Sequence, residues 1–169
     1  MHRFRPLLPF LLFVLLLAAD LILKSYVVEQ LPRIAALSAN FPFGGLPLLQ
    51  WGPVDVSLVY AINRGVALGL LAPLADILIY ARMLIIASLV TYLLFFNSER
   101  RRILPFTLLI AGALGNVVDY FRFGYVVDMF HCRFWGHSFP IFNIADSAIC
   151  IGVALLLLIP NRPSLALKP

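Results

Sequence analysis

Residues 111–159 read AGALGNVVDYFRFGYVVDMFHCRFWGHSFPIFNIADSAICIGVALLLLI, and the reading of this stretch decides the architecture. It is predominantly apolar, yet it carries Asp119, Asp128 and Asp146 together with Asn116 and Asn143. An ionisable group within a bilayer costs about 2.5–3.5 kcal/mol even on lenient scales, so it normally faces a wet cavity or a partner. Carboxylates gathered at such a boundary share a proton and take separate acid and base roles. A membrane-embedded acid–base enzyme is therefore the leading expectation.

The rest of the chain supports that setting. Of its 169 residues, 62% are hydrophobic and only 12% are charged, and the mean hydropathy is +0.97. A soluble domain does not have so little polar surface, so lipid must be the solvent for most of this one-domain protein. The net charge of +5 does not point to nucleic acid, because the basic residues sit at the ends of apolar runs and form no aromatic-basic patch.

Four apolar stretches approach the ~20 residues that a bilayer requires: about 7–28, 70–96, 103–119 and 141–159. Lipid forces backbone hydrogen bonds to close within a segment, so all four are expected to be helices of a single integral-membrane domain, residues 1–169. The first resembles a secretory signal peptide, with a basic start and LAAD near its end. It has no small residue three positions before the would-be cut, and the apolar pattern resumes beyond Asp20, so a retained helix is expected.

Arg3 and Arg5 precede the first stretch, Arg100, Arg101 and Arg102 separate the second from the third, and Arg162 and Lys168 follow the fourth. The positive-inside rule places all three clusters, and both termini, in the cytoplasm. Residues 29–69 and 120–140 then lie outside. The first of these is rich in Pro and Gly and turns β-like at VDVSLVYAI, which suggests a small extracytoplasmic sheet lying on the membrane between helices 1 and 2. At 1.5 Å per residue, Asp20 rises roughly 20 Å and Asp119 roughly 24 Å from the inner side, with Asp146 about 7 Å below the outer start of its helix. Three helices thus bring a carboxylate to one depth, near the outer face.

Spacing proposes local pairings. Asp20 and Lys24 are four apart on one helical face, an ion pair whose lysine is expected to snorkel to the interface. Asn116 and Asp119 are three apart, as are Asn143 and Asp146, so each amide is expected to steady its own aspartate. Asn143 also suits a helix cap. Gly112 and Gly115 suit close helix packing. Asn63 and Gly65 read as a turn, and Asp55 and Asp76 as solvated charges. Cys150 reads as a buried apolar residue, unsuited to a bridge with Cys132. His131, Cys132 and His137 match no zinc spacing, and Ser138 and Ser147 lack the context of a nucleophile.

These pieces together resemble the type II, or lipoprotein, signal peptidases, a family of four-span intramembrane aspartyl proteases of bacteria. The resemblance runs the length of the chain through D-x-x-x-K (Asp20, Lys24), N-x-G (Asn63, Gly65), GNxxD (Gly115, Asn116, Asp119), VVD (residues 126–128) and FNxADS (residues 142–147). It implies that Asp128 and Asp146 are the catalytic pair and that Asp20, Lys24, Asn63, Gly65, Asn116, Asp119 and Asn143 support them or the substrate. It also implies lipid-modified prolipoproteins as substrates, cut before the modified cysteine, at the bacterial cytoplasmic (inner) membrane. No metal or organic cofactor is expected, membrane lipid is the surrounding partner, and a single chain is expected to act alone.

The chain departs from the family pattern in three places. Tyr120 stands where the family has arginine, Leu21 replaces a glutamine, and NRGVALG lacks the alanine and phenylalanine after its glycine. If the chain beyond Asp119 leaves helical geometry, Arg122 points the same way as Tyr120 and takes over the missing donor. A competing reading is a small proton- or ion-coupled carrier with the aspartates as a relay. Such carriers usually show internal repeats or broken helices at the midplane, and neither is visible here. An inactive binding protein with an intact aspartate pair is the third reading.

Overall fold

A computed structural model describes residues 7–64 and 75–160. The helices are α1 (Leu7–Gln30), α2 (Ala75–Thr91), α3 (Ile103–Phe123) and α4 (Ile144–Leu158). The strands are β1 (Leu46–Trp51), β2 (Val54–Asn63), β3 (Val126–Phe134) and β4 (His137–Ser138). A π-helical turn, Tyr92–Phe96, extends α2, and a 3-10 turn of three arginines, Arg100–Arg102, leads into α3.

Three helices among the described residues are long and apolar enough to cross a membrane: Leu7–Gln30, Ile77–Phe96 and Arg100–Phe123. The fourth, Ile144–Leu158, is apolar but has only 15 residues. The expected spans at 7–28 and 141–159 therefore shift at their ends, and the expected start of the second, at 70, lies outside the described residues. The third outruns its expected end at 119 by a full turn. It stops where Gly124 adopts φ 77°, a left-handed cap that a Cβ would disfavour, with the Gly124 N–H donating to the Tyr120 carbonyl at 2.8 Å.

The expectation of an all-α protein with one β-like segment needs correction. The sheet has four antiparallel strands in the order β1-β2-β3-β4, and half of it comes from the second connection, between α3 and α4. β2 is visible because apolar and polar residues alternate at its start, Val54–Ser57, although the buried members there are Asp55 and Ser57. β3 is not, because its first four residues are all buried, Asp128 among them, and so show no alternation between a buried and an open face.

The helices pack closely through glycine. A Cβ on Gly112 would overlap the Ala145 carbonyl oxygen, and one on Gly115 would come within 2.7 Å of Asp20 Oδ2. Phe106, Leu109 and Ile110 form an apolar core with residues of α1, α2 and α4. A second core joins Val27 and Leu31 at the end of α1 to Leu58, Tyr60, Val127 and Met129 of the sheet. Polar side chains from α1, α3, α4 and β3 meet at the junction of these elements.

Candidate active site

The site grows from two chain segments brought alongside each other. After β4 the chain returns along β3, where the Met129 and Phe130 N–H groups donate to the Phe142 carbonyl at 3.0 and 2.8 Å. Phe142 leads directly into Asn143, the N-cap of α4. Asp128 on β3 and Asp146 in the first turn of α4 are thereby held at one place.

Asn143 connects them. Its Nδ2 donates to Asp128 Oδ1 at 2.8 Å, to the Val127 carbonyl at 3.2 Å and to Asn116 Oδ1 at 3.2 Å. Its Oδ1 accepts the Asp146 N–H at 2.7 Å, and its own N–H donates to Asp146 Oδ2 at 3.3 Å, which closes a capping box. Asn116 Nδ2 donates to Asp146 Oδ1 at 2.8 Å, and Asn63 Nδ2, at the end of β2, donates to Asp128 Oδ2 at 3.0 Å. All four carboxylate oxygens of the pair thus accept a hydrogen bond.

The capping role of Asn143 is therefore real and keeps it on Asp146, but the side-chain amide donors cross over. Asn116 serves Asp146 rather than Asp119, and the Asn143 side chain donates to Asp128. Spacing along one helix identifies neighbours, and it cannot see a nearer acceptor arriving from another element.

Beneath the pair lies a buried ion cluster. Lys24 Nζ stands 2.7 Å from Asp20 Oδ2 and 2.8 Å from Asp119 Oδ2, and donates to Asn116 Oδ1 at 3.0 Å. Lys24 is 0% exposed, so it does not snorkel. Its three protons have three acceptors, which is what retains a cation away from water. The two carboxylates also hold backbone. Asp20 Oδ1 accepts the Ala145 N–H at 2.9 Å, and Asp119 Oδ2 accepts the Val127 N–H at 3.0 Å. Each of these residues immediately precedes a member of the aspartate pair. Sequence reasoning missed both backbone contacts, since no residue type signals them.

Burial differs across the pair. Asp128 is 4% exposed, whereas Asp146 and Asn116 are half-buried and Asn63 is exposed, so the site opens on that side. Burial, and then the neighbouring Asp146 charge, push the Asp128 carboxyl up to about 7 against the opposing pull of Asn63.

Gly65 lies outside the described residues, as does the side chain of Asp76. Arg122 lies within α3, so the chain does not leave helical geometry after Asp119. The arginine is exposed, donates to Ser25 Oγ at 3.0 Å and stacks 4.7 Å over the Phe123 ring. Asp55 is buried rather than solvated, paired with Arg133 at 2.6 Å across β2 and β3. Cys150 is exposed on α4, not buried, and Cys132 is half-buried; both are free thiols. His131 is fully buried with its ring 4.7 Å from that of Phe43, and burial followed by the Arg133 charge lowers its basicity. His137 is exposed on β4, and no group of three His, Cys, Asp or Glu side chains among the described residues is placed to hold a metal.

Apolar helices enclosing an amide-linked aspartate pair define a membrane-embedded enzyme of the aspartic type. The model of the family described as signal peptidase (SPase) II matches residues 12–160, and the chain belongs to that family. It is 42% identical over 138 residues to the lipoprotein signal peptidase of Halothermothrix orenii, covering 81% of this chain and 90% of that one. It is 36% identical over 145 residues to the lipoprotein signal peptidase of Streptococcus pneumoniae, covering 85% and 86%. A bacterial membrane enzyme structure obtained by the in meso method at 1.9 Å resolution superposes with a TM-score of 0.75 at 26% identity, covering 94% of this chain and 96% of that one. The carrier reading has no support in these relationships.

Proposed function

We propose that the chain removes signal peptides from diacylglyceryl-modified bacterial prolipoproteins, cutting before the lipid-modified cysteine, with Asp128 and Asp146 as its catalytic residues. The observation that carries this reading is the Asn143 bridge, which links both carboxylates in one hydrogen-bonded frame with an open side at Asp146. Family membership supplies the class of substrate.

In this reading the more deeply buried Asp128 holds the proton shared by the pair, and ionised Asp146 faces the open side. Asp146 takes a proton from water as the oxygen attacks the scissile carbonyl carbon. Asp128 donates its proton to the carbonyl oxygen, giving a neutral tetrahedral diol. On collapse, Asp128 recovers a proton from the diol, the C–N bond breaks, and the nitrogen takes the proton held by Asp146. The pair returns to its starting charge with one water consumed. Asp20, Lys24, Asn116, Asp119 and Asn143 position the pair, Asn63 braces Asp128 at its mouth, Gly65 serves the substrate, and Arg122 ties α3 to α1 through Ser25.

Four spans with both termini cytoplasmic fit this chemistry. The 15 residues of α4 rise only ~22 Å. Its capped N-terminus begins at the site, however, and Asp20 of the same network lies roughly 20 Å above the inner side by helical rise. A helix that starts at that depth needs no more length to reach the cytoplasm. The lipid chains of the substrate then remain in the bilayer while its peptide reaches the pair, and one chain supplies every residue required. Purified protein incubated with a lipid-modified prolipoprotein should yield the shortened product. Intact substrate after prolonged incubation, with the protein folded, would sink the reading.

A further inference from the structure

The chain contains two tryptophans, and the sheet carries both to one end. Trp51 closes β1, and Trp135 lies in the turn between β3 and β4. The two hairpin tips are joined, since the Trp135 N–H donates to the Pro53 carbonyl at 2.8 Å and Val54 pairs with both Trp51 and Phe134. Each tryptophan is 76% exposed, and Leu48, Leu49, Phe134 and Phe139 are exposed around them. Residues 46–53 and 134–140 contain no Asp, Glu, Lys or Arg.

Such a surface does not suit water. Every residue of β1 is exposed, and β1 is an edge strand. Edge strands that face water carry charge or cover, because their free N–H and C=O groups otherwise recruit other chains. Trp at a boundary between an apolar and a wet phase is the favoured arrangement, with the ring in the apolar layer and the indole N–H at the headgroups.

The position of the sheet identifies that phase as lipid. Its other end, at Asn63 and Asp128, is tied to the helices through the polar network. From Asp128 to Phe134, β3 runs on for ~20 Å at 3.3 Å per residue. A sheet rooted there either stands up into water, which exposes an uncharged aromatic tip, or lies down along the bilayer. We propose that Trp51 and Trp135 anchor the free end of the sheet in the headgroup layer of the membrane that the helices cross. β3 then spans two fixed points, the tip and the active site, and the depth of Asp128 is set from both. This inference rests on the membrane-embedded reading of the helices.

The two tryptophans are also the natural reporters. The full chain, placed in phosphatidylcholine–phosphatidylglycerol vesicles, should show blue-shifted emission. It should be quenched strongly by lipids brominated near the headgroup, less by lipids brominated near the terminal methyl, and little by aqueous iodide. Trp51→Phe and Trp135→Phe read each ring separately. Quenching by iodide without quenching by bromolipid would overturn the proposal, and protection from both would overturn it in favour of a protein cover. A Leu15→Trp reporter in the Trp51→Phe/Trp135→Phe background, on an exposed site of α1, tests insertion itself. If bromolipid fails to quench it, the membrane reading falls and the anchor with it. If bromolipid quenches it but neither native tryptophan, the anchor alone falls.

Discussion

Replacing Lys24 by methionine tests the central claim about how the site is held. Methionine keeps much of the stem but removes the one cation between Asp20 and Asp119, both almost fully buried. Breaking a buried ion pair from one side costs about 3–5 kcal/mol, because a charge is left in a poor solvent without its partner. Two carboxylates lose their partner here, so the upper part of that range is expected. Asn116 Oδ1 also loses its bond to Lys24, although the Asn143 amide still reaches it.

The consequence for function follows from what the two carboxylates grip. Asp20 holds the residue before Asp146, and Asp119 holds the residue before Asp128. When they reorganise, the pair should lose its mutual geometry while the substrate-facing surface stays intact. Thermal unfolding in detergent should show the loss of stability, and the cleavage assay should show kcat falling much more than KM rises. A Lys24→Met protein within about 0.5 kcal/mol of the parent, the range of an ordinary surface change, would refute the argument. So would a normal kcat.

Asp128→Asn and Asp146→Asn should each abolish cleavage, and the double variant should be scarcely worse than either, because the two act as a unit; substantial turnover by either folded single variant removes that residue from the pair. Asp128→Asn loses one acceptor of the Asn63 and Asn143 amides, but its stability relative to the parent should rise with pH. Folded Asp128 keeps its proton up to about 7, whereas an unfolded aspartate releases it near ~3.9. Its raised proton affinity costs nothing below the unfolded value, and the parent loses stability as pH rises from there through about 7. The variant has no such proton, so the difference between variant and parent should shift in the variant's favour as pH rises across that range, read from unfolding midpoints against pH. Cysteine labelling should find residues 97–102 cytoplasmic and residues 40–55 outside; both on one side would end the four-span topology. Arg122 ties α3 to α1 through Ser25 Oγ, so Arg122→Ala should lower stability slightly and leave the cleavage rate nearly unchanged; a fall of ~10-fold or more, the loss of a charge-assisted bond, would assign it to the substrate instead.

How much of this was legible in the sequence depended on whether the partner of a residue lay near it along the chain. The helices, the strand β2 and the cap at Asn143 are local patterns, and they could be read. Asp20 and Lys24 were rightly placed on one helical face, but the same spacing serves an exposed pair and a buried one. What buries Lys24 is Asp119, 95 positions away along the chain, which closes over it from α3. The Asn116 amide goes to Asp146 instead of Asp119 for the same reason, and the start of β3 is hidden because its first four residues are all buried. The residues that meet around Asp128 and Asp146 are named by the sequence, along with Gly65, outside the described residues, and Arg122, which turns to Ser25, but their wiring is not.

Under the proposed mechanism, that wiring also accounts for four aspartates around a two-carboxylate reaction. A carboxylate that must hold and release a proton near neutrality needs opposing influences of similar strength. Burial and the charge of Asp146 raise Asp128, and the Asn63 and Asn143 amides draw it back. Such a balance is sensitive to position, since Coulomb and hydrogen-bond energies both change steeply over an ångström. The pair therefore cannot ride on loosely held backbone. Asp119 fixes β3 at Val127 and Asp20 fixes α4 at Ala145, while Lys24 fixes those two carboxylates against each other. In the proposed reading, Asp128 and Asp146 are left to exchange protons because the other two are committed to a lysine and to backbone.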